Sequence, residues 1–429
     1  KKVLKKIPAK DIWQRIVTSA WICADPGLQF QDAIQSWHTC PESGEIRASN
    51  PCSEYLFLDD SACNLASLNL LQFLDVDGGF DWPSFEHTAQ VMFLAQDILV
   101  DFASYPTAKI AENSHRFRPL GLGFAGLGAL LMRLGLPYDS EAGRAWGAAL
   151  TAALHGVAFE TSTHLAQELG SFEALQKNKK SHLKVMKKHQ SALQNIDWTF
   201  FPKVVSDRIE DIYKSLLSRG QKFGFRNSQA TVMAPTGTIG LVMDCETTGV
   251  EPEFSLMRFK KMVGGGKVQI VSQSIRPALQ KLKYPDEKIQ RIEEHIQKTG
   301  TIEDAADLNP EHRAIFDCAQ KNGFQGQRYL RPEAHLLMMA AIQPFLSGGI
   351  SKTVNLPAEA TSQDIGKIYW QAWELGLKAI SIYRDGSKMS QPLTVKEGGP
   401  VCPECGGTTE ISGGCYRCTN CGFTTGCVS

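Results

Sequence analysis

One stretch near the carboxyl end constrains the fold more than any other, because it predicts a strand, a helix and a second strand in succession. Residues 351–356 are β-prone and follow a glycine-rich turn, residues 364–377 have helical periodicity, and residues 379–383 are again β-prone. Two strands joined by a helix in this way lie parallel in one sheet. The sequence therefore predicts an α/β fold with parallel strands in this part of the chain.

A second stretch, around residue 50, concentrates chemically reactive side chains. It contains the amide of Asn50, the thiols of Cys52 and Cys63 and the carboxyl of Glu54. Pro51 fixes its own φ and favours an extended Asn50, so the sequence predicts a tight loop here. Side chains alternate in direction along extended backbone, which would bring Asn50, Cys52 and Glu54 to one side, facing one small substrate. Buried structural thiols are the ordinary alternative, and they leave the adjacent amide and carboxyl unexplained.

A turn from Pro235 to Thr238 follows the β-prone residues 230–234 and has the composition of an anion-binding loop. Such a turn can expose successive backbone N–H groups and two hydroxyls, which suit a phosphate group. The pattern is not a Walker A loop, because no GxxxxGK[ST] sequence occurs. An ordinary strand-to-helix turn remains the alternative.

Gly121, Gly123 and Gly126 have the GxGxxG spacing of a dinucleotide-binding loop. That fingerprint requires a strand before the first glycine, whereas the preceding residues include two arginines and a proline. The spacing is therefore interpreted as close helix packing through small residues.

The cysteines are distributed unevenly, since six of the twelve lie in the last 28 residues. Cys402 and Cys405 form one CxxC pair, Cys418 and Cys421 form a second, and a glycine follows each pair. Four thiolates in two tight turns satisfy tetrahedral zinc, and a tail this short has no apolar core to fold around otherwise. The sequence thus predicts a small zinc ribbon behind a charged, glycine-containing linker. The predicted parts are a large domain at 1–393, the linker at 394–400 and the tail at 401–429.

Composition excludes several classes of function. Lys plus Arg and Asp plus Glu balance at 45 each, which argues against direct nucleic-acid binding. The basic run at 176–190 predicts a solvated helical face. The longest apolar stretch, residues 120–132, is too short to span a bilayer, and the amino terminus lacks the apolar core of a signal peptide. We expect a cytoplasmic protein without membrane or direct nucleic-acid contacts.

The segment from Trp37 to Leu70, which contains Cys52, closely resembles the active-site loop of class II ribonucleotide reductases, which depend on adenosylcobalamin. The segments 118–128, 234–252 and 329–393 resemble the same family. The resemblance implies the C-terminal part of a ten-stranded α/β reductase barrel, whose central loop presents Cys52 to the ribose. It also implies radical-based reduction of ribonucleotides, expected to be diphosphates, to 2′-deoxyribonucleotides for DNA synthesis.

The same resemblance assigns roles to individual residues. Cys52 would give up a hydrogen atom to the cofactor's radical, and the resulting thiyl would take the 3′ hydrogen of the substrate. Glu54 would act as general base on the 3′ hydroxyl, and Asn50 would orient the hydroxyls. Cys63 matches one member of the reducing thiol pair. The residues that match the family's phosphate-binding loop are Pro235, Thr236, Gly237, Thr238 and Ile239.

The resemblance gives the tail a redox role as well, because the family's cysteine-rich tail is thought to enter the active site and reduce its disulfide. With zinc on the two CxxC pairs, the leftover Cys415 and Cys427 could exchange disulfides, and Cys421 with Cys427 is a second candidate pair. A zinc set made of the first CxxC pair with Cys415 and Cys418 would instead release Cys421 and Cys427. The sequence leaves these alternatives open.

Partners are also implied. The thiol partner of Cys63 has no counterpart in this chain, and in the family it lies on an earlier strand. We therefore expect this chain to act with an upstream reductase polypeptide and to be inactive alone. A ribonucleotide substrate and a thioredoxin-type reductant are further expected partners, and a homodimer is compatible with the sequence.

Other functions fit less well. Class I reductases carry an adjacent tyrosine pair, which does not occur here, and class III enzymes need a glycyl-radical motif. A hypothesis of a different kind is a non-catalytic zinc-ribbon protein with a regulatory or nucleic-acid-binding function. It leaves the loop around Cys52 unexplained.

Overall fold

The computed structural model of the chain describes residues 3, 5–75, 78–261, 267–323, 326–388, 409–412, 415–418 and 421–427. The helices are α1 (Ala9–Cys23), α2 (Gln31–Ser36), α3 (Trp82–Phe102), α4 (Ala108–Phe117), α5 (Leu127–Arg133), α6 (Glu141–Leu169), α7 (Leu175–Ala192), α8 (Lys203–Phe223), α9 (Gly237–Val242), α10 (Ile275–Lys281), α11 (Asp286–Thr299), α12 (Pro332–Ile342) and α13 (Ser362–Glu374). The strands are β1 (Leu28–Gln29), β2 (Asn64–Asn69), β3 (Leu120–Ala125), β4 (Met257–Lys261), β5 (Lys267–Val271), β6 (Thr353–Leu356), β7 (Ala379–Arg384), β8 (Thr409–Ser412), β9 (Cys415–Cys418) and β10 (Thr424–Cys427). The predicted linker at 394–400 lies outside the described residues.

Parallel segments form the frame of the large domain. β2 pairs in parallel with β3. The next segment continues this arrangement, because Thr231 bridges Leu122 of β3 and Met233 bridges Ile350, both in parallel. The chain runs from Ile350 into β6, which pairs in parallel with β7, and β1 joins the far edge of β7 antiparallel. The order is therefore β2, β3, the segment around Thr231, β6, β7 and β1, as expected for an α/β fold.

The strand–helix–strand crossover predicted near the carboxyl end is confirmed by β6, α13 and β7. Thr361 caps α13: its side chain accepts a hydrogen bond from the backbone of Asp364, whose carboxylate accepts one from the backbone of Thr361. Ile365, Ile368 and Ala372 recur at helical spacing and are all buried. α13 thus presents an apolar stripe to α1 and α12, and this packing sets β7 beside β6.

The glycine-rich segment after Pro119 is a strand, so the prediction of helix packing was wrong. It forms β3, and every residue of β3 is buried. A Cβ atom at Gly121 would lie 2.6 Å from the sulfur of Cys63, and one at Gly123 would lie 2.4 Å from the carbonyl oxygen of Val232. The glycines therefore let both neighbouring segments approach closely. No strand precedes the first two glycines because they lie in the strand itself, and Gly126 follows it as the N-cap of α5.

The long helix α6 forms the centre of the helical layer and is buried along most of its length. It contacts α3, α8 and α12. Small residues permit this packing, since a Cβ atom at Gly147 would lie 2.8 Å from Sδ of Met338 in α12, and one at Gly156 would lie 2.9 Å from Ile212 in α8. In the part of the chain that the structure describes, no helix combines the length and apolarity needed to cross a membrane.

The basic run predicted to be a solvated helical face is α7, and its lysines are exposed or half-buried. Its inner face contains two fully buried histidines, His182 and His189, which lie close to His155 of α6. The rings of His155 and His189 are 4.0 Å apart, and that of His182 lies 4.3 Å from the ring of Phe225. Burial lowers the pKa of His182 and of His189 to about 3 and that of His155 well below its ordinary value. All three therefore remain neutral in the folded protein at neutral pH.

These histidines make the fold sensitive to acid. Each takes up a proton near its ordinary pKa of 6.5 only when the chain unfolds, so stability is lost as the pH falls from about 6.5 towards about 3. Each contributes up to about 1.4 kcal/mol per pH unit to that loss. His182 has no hydrogen-bond partner for either ring nitrogen among the described residues. We expect His182→Phe to fold well. It should also reduce the pH dependence of the free energy of unfolding by the part that His182 contributes.

The measurement is the free energy of unfolding by urea between pH 6 and pH 4. His164→Phe, at an exposed position of α6, is the matched control and should keep the slope of the unmodified protein. Identical slopes for His182→Phe and the unmodified protein would show that His182 does not contribute.

Candidate active site

The loop predicted around Pro51 is a tight turn in the structure. Ser49 and Leu56 form an antiparallel bridge at its base. The backbone N–H of Asn50 donates to the carbonyl of Tyr55 at 3.3 Å, and the backbone N–H of Tyr55 donates to Oδ1 of the Asn50 side chain at 3.0 Å. Ser53 has a left-handed φ of 65°, which turns the chain at the tip. The Asn50 side chain thus holds the loop closed through its oxygen.

Cys52 and Glu54 lie next to each other at this tip but differ in burial. Cys52 is exposed, whereas Glu54 is only 2% exposed. Partial burial and the nearby Glu54 carboxylate raise the pKa of Cys52, and a hydrogen bond with Ser351 opposes that rise. Oε2 of Glu54 is buried and has no hydrogen-bond partner within the described ranges. The tip therefore combines a protonated, accessible thiol with an unsatisfied carboxylate.

Cys63 joins this cluster from the start of β2. Burial raises the pKa of its thiol, and the Glu54 carboxylate raises it further. Burial and Cys63 likewise raise the pKa of Tyr55. Gly121 of β3 leaves the space that the sulfur of Cys63 occupies. The structure therefore brings together the three predicted groups Cys52, Glu54 and Cys63.

The glycine-rich turn before residue 351, to which the sequence analysis gave no part in the site, supports the loop. The backbone N–H of Gly349 donates to the carbonyl of Glu54 at 2.7 Å. A Cβ atom at Gly348 would lie 2.7 Å from that same carbonyl oxygen, and one at Gly349 would lie 2.5 Å from the carbonyl oxygen of Ser53. Only glycine permits this approach. The signal in the sequence was the pair of consecutive glycines before the β-prone run, and Ser351 follows in the same run.

The predicted phosphate loop follows the parallel segment that contains Thr231 and Met233. Thr236 is buried with a left-handed φ of 50°, and its hydroxyl accepts a hydrogen bond from the backbone N–H of Gly249 at 2.7 Å. Pro235 and the residues that begin α9 are exposed. Met233 accepts from the backbone of Ser351, the residue beside Cys52. The turn and the Cys52 loop are thus attached to adjacent segments of the sheet.

The tail contains a three-stranded antiparallel sheet in the order β8, β9, β10. At the end of β9 the backbone N–H of Cys421 donates to Sγ of Cys418 at 3.4 Å, and Gly422, with a φ of 75°, donates to the carbonyl of Cys418 at 3.1 Å. Such N–H contacts to sulfur suit a thiolate that binds a metal ion. Cys402 and Cys405 lie outside the described residues, and within those residues no three metal-binding side chains converge.

The same sheet positions two further cysteines. In the pairing of β9 with β10, Cys415 is the register partner of Cys427. The register shifts between Thr425 and Cys427, so this pairing follows an irregularity in the ladder. The backbones of the two cysteines are nevertheless paired at this end of the sheet.

Comparison with known proteins agrees with this geometry. The family described as "Ribonucleotide reductase, barrel domain" matches residues 1–383. The vitamin B12-dependent ribonucleotide reductase of Rhodopirellula baltica is 51% identical over 388 residues, covering 90% of this chain and 37% of that protein. Its counterpart in Streptomyces coelicolor is 46% identical over 404 residues, covering 92% and 41%. The vitamin B12-dependent ribonucleoside-diphosphate reductase of Mycobacterium tuberculosis is 32% identical over 414 residues, covering 96% and 51%.

The chain thus spans about half or less of the length of these curated relatives. Among solved structures, the class Id ribonucleotide reductase alpha subunit of Actinobacillus ureae is similar with a TM-score of 0.61 and 18% identity, covering 88% of this chain and 61% of that one. At that identity the likeness concerns the fold alone, and it agrees with the parallel frame described above. With a family match that extends over residues 1–383, the chain belongs to the ribonucleotide reductase barrel-domain family.

Proposed function

We propose that this chain supplies the thiyl-forming part of the catalytic barrel of an adenosylcobalamin-dependent ribonucleotide reductase. The observation that carries this proposal is the convergence of Cys52, Glu54 and Cys63, in which one carboxylate raises the pKa of both thiols. The names of the relatives support cobalamin dependence. A non-catalytic zinc-ribbon protein would leave both this convergence and the family match unexplained.

Cys52 is the group that meets the ribose. Its raised pKa keeps it as S–H, and a hydrogen-atom donor must carry that hydrogen. The exposed thiol fits the cofactor's role, since adenosylcobalamin supplies, when bound, the carbon-centred radical that accepts the atom. Cys52 then takes the 3′ hydrogen of the substrate, a step that depends on close positioning more than on charge.

Glu54 and Asn50 handle the substrate hydroxyls. The unsatisfied Oε2 of Glu54 would accept a hydrogen bond from the 3′ hydroxyl and remove its proton, which favours loss of the 2′ hydroxyl as water. Oδ1 of Asn50 already accepts from Tyr55, so its amide N–H groups are the ones that would orient a hydroxyl. Cys63 and a second thiol would then be oxidised to a disulfide as the 2′ carbon gains a hydrogen in place of oxygen.

The substrate phosphates would lie on the turn that follows Met233. Its first-turn N–H groups have no intrahelical acceptors, and its exposed residues are free to meet a ligand. The name of the Mycobacterium tuberculosis relative supports a nucleoside diphosphate as the substrate. The residues that would hold the phosphates are Pro235, Thr236, Gly237, Thr238 and Ile239.

In the tail, zinc would lie on the two CxxC pairs, and Cys415 with Cys427 would exchange disulfides with the active site. The contact of Cys421 with the sulfur of Cys418 supports zinc at the second pair. The register of Cys415 opposite Cys427 supports the exchange pair. A ligand set that includes Cys415 would occupy its thiol and leave Cys427 without this exchange partner.

We expect the purified, reduced protein to contain one zinc ion per chain, because the tail has too little apolar material to fold without it. Metal analysis of single variants tests the ligand set. Cys421→Ser should lose the zinc, and Cys415→Ser, the matched control in the same sheet, should keep it. The opposite pattern would favour the alternative set with Cys415.

The edge of β2 provides a surface for an upstream reductase polypeptide. Within the described residues β2 pairs only with β3, and Leu65 is 48% exposed. The helix beside it, α3, exposes Val91, Ile98 and Phe102, the last at 82%. Unpaired strand edges and apolar patches of this kind favour association. The greater length of the relatives supports such a partner.

Free thiols at the site also require reducing conditions, which supports a thioredoxin-type reductant and a cytoplasmic location.

The experiment combines the chain with adenosylcobalamin, a ribonucleoside diphosphate and a dithiol, with and without the polypeptide encoded upstream. We expect deoxynucleotide in the combined sample and none from the chain alone. Light scattering on both samples reports whether the chain pairs with itself instead. No deoxynucleotide in the combined sample, despite complex formation, would contradict the proposed function. Robust product from the chain alone would support the function and contradict the need for a partner.

A further inference from the structure

Lys378, immediately before β7, is a buried lysine without a carboxylate partner among the described residues. Its side chain is 1% exposed, and no carboxylate pairs with it in the part of the chain described. Its Nζ donates to the carbonyl oxygens of Leu346, Ser347 and Gly348 at 3.0, 3.2 and 2.6 Å. Burial lowers the pKa of this lysine well below its ordinary value, and the nearby Lys188 lowers it further. The amine in either protonation state carries N–H donors for the carbonyls.

The carbonyls that Lys378 gathers belong to the turn that supports the Cys52 loop. Immediately after them, Gly349 donates to the carbonyl of Glu54 at 2.7 Å. On its other side the turn is bound to the neighbouring segment, where Gly348 donates to the carbonyl of Thr231 at 2.8 Å and Met233 donates to that of Gly349 at 3.0 Å. The turn thus lies between the Cys52 loop and the segment that leads to the phosphate turn.

The carbonyls that converge on Lys378 explain why an apolar residue would not serve here. Without Lys378, the carbonyl oxygens of Leu346 and Ser347 would lose this donor in the interior, and that of Gly348 would keep only the long contact with Nε2 of Gln343 at 3.5 Å. Each buried, unsatisfied acceptor is destabilising. The turn would relax to reach other donors. Because Gly348 and Gly349 lie against the backbone of Ser53 and Glu54 with no space between them, any such shift would displace the loop.

We propose that Lys378 is a positioning residue of the active site, which fixes the turn at residues 346–349 and thereby holds Cys52 and Glu54 together. Lys378 does not touch the reacting atoms. The part of this proposal that concerns catalysis rests on the proposed function. The part that concerns the position of Cys52 is tested without cofactor or substrate.

The test is the alkylation rate of Cys52 by iodoacetamide in the full chain at neutral pH, followed by peptide mass spectrometry. Exposed Cys23 in the same molecule is the internal reference. The thiolate is the reactive form, so a thiol whose pKa is raised reacts slowly. We expect Lys378→Met to increase the ratio of Cys52 to Cys23 alkylation by about threefold or more, because Cys52 moves away from Glu54 and into solvent.

Two further variants separate positioning from general stability. Ile292→Ala, in a separate apolar cluster on α11, should lower stability and leave the ratio unchanged. Lys378→Gln keeps two N–H donors and should raise the ratio of Cys52 to Cys23 alkylation by less than Lys378→Met does. If Lys378→Met does not fold, Lys378→Gln tests the proposal in its place. An unchanged ratio in the folded Lys378 variants, or an equal increase in Ile292→Ala, would overturn the proposal.

In the reconstituted reductase, Lys378→Met should lower kcat by about tenfold and leave KM within about twofold, since the lysine does not contact substrate. A change confined to KM would contradict the proposal that Lys378 positions Cys52. If reconstitution yields no reductase activity with the unmodified chain, the proposed function fails, and the alkylation ratio still decides whether Lys378 positions Cys52.

Discussion

Cys52→Ala should reduce deoxynucleotide formation in the reconstituted enzyme by at least about 10⁴-fold, to background, while nucleotide binding remains nearly intact. The reason is that Cys52 is the exposed thiol at the loop tip, next to the unsatisfied carboxylate of Glu54. Cys63 cannot replace it, because that residue is half-buried just before β2 and its sulfur packs against Gly121 of β3, away from the loop tip. The measurements are product formation and equilibrium nucleotide binding.

Cys23→Ala is the matched control, since Cys23 is also an exposed thiol but lies at the end of α1. It should retain full activity. Measurable turnover by Cys52→Ala would exclude Cys52 as the residue that forms the thiyl radical.

Cys63→Ser should prevent repeated turnover and lower the steady-state rate at least about a hundredfold. The reason is that a hydroxyl cannot form the disulfide that results when a thiol pair gives two electrons to the substrate. Cys52 would still react, so the radical should be consumed and the substrate damaged. The measurements are radical decay, product yield per chain and the fate of the substrate. Full multiple-turnover activity would remove Cys63 from the mechanism.

Cys427→Ser, in the tail, is the variant to compare with Cys63→Ser. With Cys63 intact, a pre-reduced Cys427→Ser enzyme should complete one turnover and then stall when a thioredoxin-type protein is the only reductant. A small dithiol that reaches the site directly should restore activity to Cys427→Ser but not to Cys63→Ser. If Cys63→Ser and Cys427→Ser gave the same product yields with the thioredoxin-type protein and also with the small dithiol, the two cysteines would not act in sequence.

The parts of the fold that followed from sequence were those set by local patterns. The β6–α13–β7 crossover was predictable because its periodicities and its glycine-rich turn lie within a short stretch. The β3 segment was assigned wrongly because a short, fully apolar run has the same pattern in a buried strand and in a buried helix. What distinguishes them is the approach of Cys63 and Val232, which are far away in the chain.

The structure brings the predicted groups Cys52, Glu54 and Cys63 together, but in a different arrangement from the one that the sequence predicted. The alternation argument assumed extended backbone, whereas Ser53 adopts a left-handed conformation that its residue type does not signal. Cys52 is therefore exposed while Glu54 is buried. Lys378 was not predictable, because a lysine between two apolar stretches gives no indication that three carbonyls converge on it.

The two glycines of β3 also limit how this sequence can change over evolutionary time. At position 121 the nearest obstacles to a methyl group are side chains, the sulfur of Cys63 and a methyl of Leu65. At position 123 the obstacle is a backbone oxygen, which no substitution removes. A lineage could therefore replace Gly121 only after the side chains at both Cys63 and Leu65 had become smaller, whereas no side-chain replacement makes room at Gly123 while the sheet is kept.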